Sequence, residues 1–256
     1  MEIIILTSIL ISLIFAPLGC IVLWKKYIYF GDGLSHASLL AVSITIISSI
    51  PLVYSGLIVA LLFAISIFKL KAISENNAII SLVSSFMLSV SLIIMYISPN
   101  KINIHSLLLG DIISTSIEDI ATLCVIFILV SGFIFIFYNK IILIVLHRDL
   151  AKIRGLKVDM IELVFLILLS FSIFSTIRIV GSLLVTSMLL IPALSAKLFA
   201  QTPIQMILYS IIIAVISNLI GLFTAFYFDV PITPIIIIIG VIIYFLIYVI
   251  SIRNKE

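Results

Sequence analysis

Charge is scarce in this sequence. Asp, Glu, Lys and Arg make up 10% of its 256 residues while 64% are hydrophobic, against roughly 25% and 45–50% in an ordinary soluble domain. So few polar groups could not cover a water-soluble globule of this size, which excludes a soluble enzyme or binding module and leaves a chain built for lipid. Cysteine is nearly absent. Cys20 and Cys124 stand alone in apolar segments without C-x-x-C spacing, which excludes a disulfide framework and a thiolate zinc site and leaves two small buried residues. No G-x-x-x-x-G-K-[ST] loop is present, so any ATP-driven work needs a partner. Nor is there a basic face interleaved with aromatics, so the formal net charge of +3 does not point to nucleic acid.

What is there is a series of apolar runs. A helix crossing the bilayer core needs ~20 apolar residues. Stretches of that kind lie at about 3–24, 34–50, 51–70, 78–98, 119–138, 160–177, 179–198, 203–226 and 232–252. They predict an all-α, polytopic membrane protein of about nine transmembrane helices, eight to ten, forming one domain over 1–256. The joins at Pro51 and Arg178 are the least distinct. Met1-Glu2 lacks the positive flank and small-residue cleavage site of a removable signal, so the first run is expected to remain as a span. With the N-terminus outside, the alternation puts every Lys and Arg except Lys101 and Arg178 at cytoplasmic ends. That asymmetry predicts an odd number of crossings and a cytoplasmic C-terminus.

Charges within spans are costly and therefore functional suspects. In Gly31-Asp32-Gly33-Leu34-Ser35-His36-Ala37, Asp32 and His36 are four residues apart. On a helix they share a face, where a carboxylate oxygen and an imidazole nitrogen can hold one cation. A symmetric dimer with that face on its axis presents two Asp and two His, a four-ligand set suited to Zn²⁺ and acceptable to Mn²⁺. The alternative is structural: Asp32 caps the helix and His36 donates to a carbonyl. Acid should weaken the metal site, because protonated imidazole cannot ligate.

A second stretch, 147–157, places Leu150, Ile153 and Leu156 on one face, Lys and Arg on another, and Gly155 where a helix C-terminus would suit it. It reads as a short amphipathic helix that docks on a soluble partner, or as a positive loop on anionic lipid. In a third, Ser182 and Thr186 have small-x-x-x-small spacing and Pro192 invites a kink, marking a pore-lining or interior packing helix. Asp111 and Asp229 lie near outer span ends, as entry or gating groups or as turn residues. His105 reads as an exposed outer loop residue able to make early contact with a metal.

Taken together, these residues resemble the permease subunits of bacterial ABC importers for zinc and manganese. The resemblance is carried by Gly31-Asp32 through His36-Ala37, by Leu109-Gly110-Asp111, by Ala151 through Gly155-Leu156, and by Leu189 through Ala196 around Pro192-Ala193, in family order over most of the chain. Leu34-Ser35-His36-Ala37-Ser38-Leu39 looks more like the zinc members. The resemblance implies a type II ABC importer permease fold in a bacterial inner membrane, as a homodimer with two cytoplasmic ATP-binding subunits and an external metal-binding protein. It implies no permanent cofactor, transported Zn²⁺ or Mn²⁺, Asp32 and His36 lining the metal path, and a coupling segment within 139–159 that includes Arg148, Asp149, Ala151, Arg154 and Gly155. The broader importer signature of Glu-Ala-Ala, three residues, then Gly is met in part, by Asp149-Leu150-Ala151 and Gly155.

Two rivals differ in class. A proton-coupled secondary cation transporter would use Asp32, Asp111 or Asp229 as proton carrier but has no need of 147–157. An intramembrane aspartyl protease needs two carboxylates sharing a proton, and the G-x-G-D pattern is missing, with Tyr29 and Leu108 in place of its first glycine.

Overall fold

The computed structural model describes residues 1–71, 75–98, 110–182 and 184–253. These form ten α-helices: α1 (Glu2–Lys25), α2 (Phe30–Ser48), α3 (Leu52–Leu70), α4 (Asn76–Ile97), α5 (Ile117–Leu146), α6 (Arg148–Ile153), α7 (Val158–Val180), α8 (Val185–Lys197), α9 (Pro203–Phe228) and α10 (Ile232–Arg253), with a 3₁₀ turn at Ile112–Ser114. Helices are what such a composition allows, since a backbone in hydrocarbon must satisfy its N–H and C=O groups within its own segment. Their ends obey local chemistry. Ser116 and Asp119 form a capping box at α5, and Thr202 and Gln205 form another at α9, where Pro203 takes the first helical position.

Eight of the ten helices are long and apolar enough to cross a membrane, and the expected break at Pro51 is present, with Pro51 at the N-cap of α3. The stretch 179–198 differs from expectation. Arg178 does not divide two spans: it lies in the last turn of α7, which stops at Gly181 with φ 93°. The next helix, α8, has only 13 residues. At 1.5 Å per residue it is ~20 Å long, short of the ~30 Å hydrocarbon core. α5 departs the other way, because its 30 residues extend ~45 Å.

One end of the bundle is basic. It gathers Lys25, Lys71 and Arg148 around Glu162, and Lys140 and Lys157 along one groove. The first turn of α9 joins it through Trp24 and Met206, and the last turn of α10 meets the end of α8 through Ser251 and Leu198. α8 thus runs toward the basic end, although it is too short to span the hydrocarbon core by itself.

α1 is central, packed on α5, α8 and α9, while α2 packs on α3, α4, α7 and α8. Close approach at the centre depends on Gly19, where a Cβ would run into the Leu189 carbonyl and Ala193. Side-chain polar groups act as interhelical links: Asn218 Nδ2 donates to the Ser8 carbonyl at 3.2 Å and to Ser12 Oγ at 2.6 Å, and Ser43 and Ser91 join α2 to α4 at 2.9 Å.

Gly19→Ala should therefore lower the thermal midpoint of the detergent-solubilised protein, by the equivalent of about 1–3 kcal/mol of overpacking. Gly132→Ala, inside α5 where a new Cβ meets nothing within 4 Å, should not lower the midpoint and should raise it slightly, because alanine favours a helix interior over glycine by about 1 kcal/mol.

Candidate functional site

The link 26–29 doubles back along α1. Lys26 takes the left-handed conformation at φ 59°, the Tyr27 N–H donates to the Val22 carbonyl at 3.0 Å, and the Phe30 N–H donates to the Tyr27 carbonyl at 3.0 Å. α2 accordingly starts level with the last turn of α1 and not beyond it, at Phe30 and not Leu34. Asp32 falls in its first turn. Tyr29 is the N-cap and no side chain caps this helix, so the capping role for Asp32 is not used. His36 comes one turn later.

The two residues share the uncovered face of α2. Asp32 is half-buried and His36 exposed; Leu39, Leu40, Ile44 and Ile47 continue the same stripe, while Gly33, Leu34, Ala37, Ser38 and Ala41 are buried. Among the described residues, no three of His, Cys, Asp and Glu come together within the chain. Asp32 and His36 are thus a carboxylate and an imidazole one turn apart on this face, with no third such group beside them among the described residues. Behind them α8 begins: Thr186 packs against Gly31, close enough that a Cβ there would lie 3.1 Å from Thr186 Cβ. The Thr186 hydroxyl is buried without a hydrogen-bond partner. Pro192 is buried within α8, whereas Ser182 precedes the helix in a turn and does not share a face with Thr186.

The other acidic residues have structural employment. Asp111 accepts from the Ile113 N–H at 3.0 Å, capping the 3₁₀ turn, and its own N–H donates to the Arg178 carbonyl at 3.1 Å. Gly110, at φ 69°, lets this loop touch the backbone of Val180 and Gly181. Asp229 is the C-cap of α9 at φ 52°. His105 lies outside the described residues.

At the basic end, α6 is the short helix anticipated at 147–157. Gly155 has φ 75°; its N–H donates to the Lys152 carbonyl at 2.9 Å, and the Leu156 N–H donates to the Ala151 carbonyl at 3.1 Å. This is the Schellman arrangement that glycine favours. Ala151 is buried, but Leu150 is 48% and Ile153 80% exposed, so the apolar face expected to dock elsewhere is open. Asp149 and Arg154 are exposed beside it.

Glu162, which the spacing arguments passed over, is the most heavily engaged charge. It lies in the second turn of α7 with a side chain 6% exposed. Its Oε1 accepts from Lys25 Nζ at 3.2 Å and Tyr27 Oη at 3.0 Å. Its Oε2 accepts from Lys71 Nζ at 2.6 Å and Arg148 Nη2 at 3.2 Å. Lys71 and Arg148 also reach Asp159, at 3.1 and 3.3 Å. Burial, and then the Glu162 carboxylate, push the Tyr27 phenol well above its ordinary range. A signal did exist: Glu162 is an acidic residue inside the 160–177 apolar run, and intramembrane charges call for partners. Which cations those were could not be read from spacing.

The chain is 30% identical over 245 residues to the high-affinity zinc uptake system membrane protein ZnuB of Buchnera aphidicola subsp. Schizaphis graminum, covering 94% of each chain. It is 28% identical to the protein of the same name from Haemophilus influenzae, over 91% of this chain and 90% of that one. It is 27% identical to the manganese import system permease protein ScaB of Streptococcus gordonii, over 88% and 82%. Among solved structures, PsaBC from Streptococcus pneumoniae in complex with Fab superposes with a TM-score of 0.83 at 23% identity, over 96% of this chain and 90% of that chain. The sequence pattern of the ABC 3 transport family matches residues 1–251, and the chain, a multi-pass membrane protein, belongs to that family.

Proposed function

We propose that this chain is the permease subunit of an ATP-driven zinc importer. The observation that carries the reading is the open stripe of α2, where Asp32 and His36 face outward as an incomplete ligand set. Pairing two such stripes about a twofold axis supplies two carboxylates and two imidazoles, an N/O set that Zn²⁺ accepts. A homodimer is therefore the unit that carries the ion, with lipid around it. Neutral imidazole and carboxylate bind firmly enough to replace hydration, and without thiolate they let the ion go.

The energy comes from elsewhere, because no nucleotide-cradling loop is present in the sequence. Two separate ATP-binding subunits would dock on the exposed Leu150 and Ile153 of α6, beside Arg148, Asp149 and Arg154, and an external protein would deliver the metal at the opposite end. The chain is thus a transport subunit and not itself an enzyme. The gathering of Lys and Arg at one end of the bundle supports a cytoplasmic basic end, an external N-terminus and an inner-membrane location. The named zinc-uptake relatives support zinc. The likeness to a manganese permease favours Mn²⁺ as the second reading, and a named iron-transport relative adds iron to the ions worth testing.

Uptake of radiolabelled Zn²⁺ into vesicles holding the whole transporter tests this. Wild type should require ATP, and Asp32→Asn and His36→Ala should each lower uptake at least about tenfold, with the complex still assembled. Asp111→Asn and Asp229→Asn should leave the ion-path behaviour intact. Uptake that tracks a proton gradient without ATP would overturn the reading in favour of a secondary transporter, and stronger uptake of Mn²⁺ or Fe²⁺ would reassign the metal. A second check concerns docking: Ile153→Asp should weaken capture of the ATPase subunits by the solubilised permease by about tenfold, since it places a charge on an apolar contact.

A further inference from the structure

We infer that Glu162 is the positioning residue that joins the coupling helix α6 to the ligand-bearing helix α2. The inference rests on the importer reading above. Its basis is how the two carboxylate oxygens divide their partners. Oε2 takes Arg148, the first residue of α6, and Lys71 at the end of α3. Oε1 takes Lys25 at the end of α1 and Tyr27 in the link to α2. One rigid group of atoms therefore touches the segment that an ATPase would push and the segment that sets where α2 begins.

From Tyr27 the connection is packed and short. Its ring meets Phe30 edge-on at 6.3 Å, and Phe30 meets Phe63 at 5.2 Å; all three residues are fully buried. Phe30 opens the helical turn that carries Asp32. Close-packed side chains of this kind transmit displacement because they cannot deform continuously.

The node also has two arrangements available. Asp159 lies three residues before Glu162 on the same face of α7, with a side chain 61% exposed, and already accepts from both Arg148 and Lys71. When α6 moves outward, Arg148 can keep Asp159 and release Glu162 without being stranded. The carboxylate is then left to Lys25, Lys71 and Tyr27. A cation that can change between two acceptors gives coupling a discrete element to act on.

The test uses vesicles containing the complete transporter, with radiolabelled Zn²⁺ uptake and phosphate release measured together to give zinc moved per ATP hydrolysed. Glu162→Gln should lower that ratio about tenfold, within the usual range of coupling effects, while hydrolysis continues. Tyr27→Phe and Arg148→Gln should each lower it less. Because both act through Glu162, although they bond opposite oxygens, their double variant should be no worse than the poorer single one. If Glu162→Gln does not assemble, that cycle decides. Wild-type ratios in the assembled variants, or a double variant that loses the product of the two single losses, would overturn the inference while leaving the importer reading standing. Wild type that takes up no zinc with ATP would overturn both.

Discussion

Hydrocarbon supplies no hydrogen-bond partner, and the organisation of this protein arises from meeting that demand at every depth. Backbone groups meet it by folding into helices. Helix ends meet it with local devices, such as the boxes at Ser116 and Thr202 and the left-handed caps at Lys26, Ser49 and Asp229. Interior side chains meet it across helices, as Asn218 does with Ser8 and Ser12. Glu162 is the extreme case, one carboxylate that four donors from α1, α3, α6 and the α1–α2 link converge on. Removing it would leave Lys25, whose side chain is 8% exposed, without its ion-pair partner, a situation that costs about 3–5 kcal/mol in comparable buried pairs, while Lys71 would keep Asp159. The outward face of α2, with Asp32 half-buried and His36 exposed, is read as a shared site because its two polar groups point away from the chain's own core.

Helix length then decides what each segment can do. α5 is ~15 Å longer than the bilayer core is thick, at 1.5 Å per residue, and α6 follows its basic-end terminus with Leu150 and Ile153 exposed. α8 is too short to cross. It begins beside Gly31, where Thr186 backs the turn that holds Asp32, and passes Gly19 at Leu189 on its way to the basic end. A short helix wedged behind the first turn of α2 and a long one leading into α6 are complementary departures from the span length.

Several details of the site are legible in the sequence because they depend on neighbours in the chain. The four-residue interval between Asp32 and His36 places them on one helical face wherever that helix goes. Gly155 reads as a helix stop, and its φ of 75° closes α6. Asp111 and Asp229 carry a turn reading beside a functional one, and both serve as turn or cap residues. Arg178 misleads for a related reason: a charge inside an apolar run looks like a boundary, but a long side chain in a last turn can reach the interface from within the helix.

Composition and charge order alone determined that the chain spans a membrane, about how often, and which ends of the bundle are basic, because burying charge in lipid is costly whatever the fold. Tertiary structure alone decided which face of α2 stays open, that α8 packs behind it, and that Glu162 pairs with Lys25 from 137 positions away. The reason is physical. In a helix bordered by lipid, the faces toward the core and toward the membrane are equally apolar, so periodicity carries no record of which neighbour each face will meet.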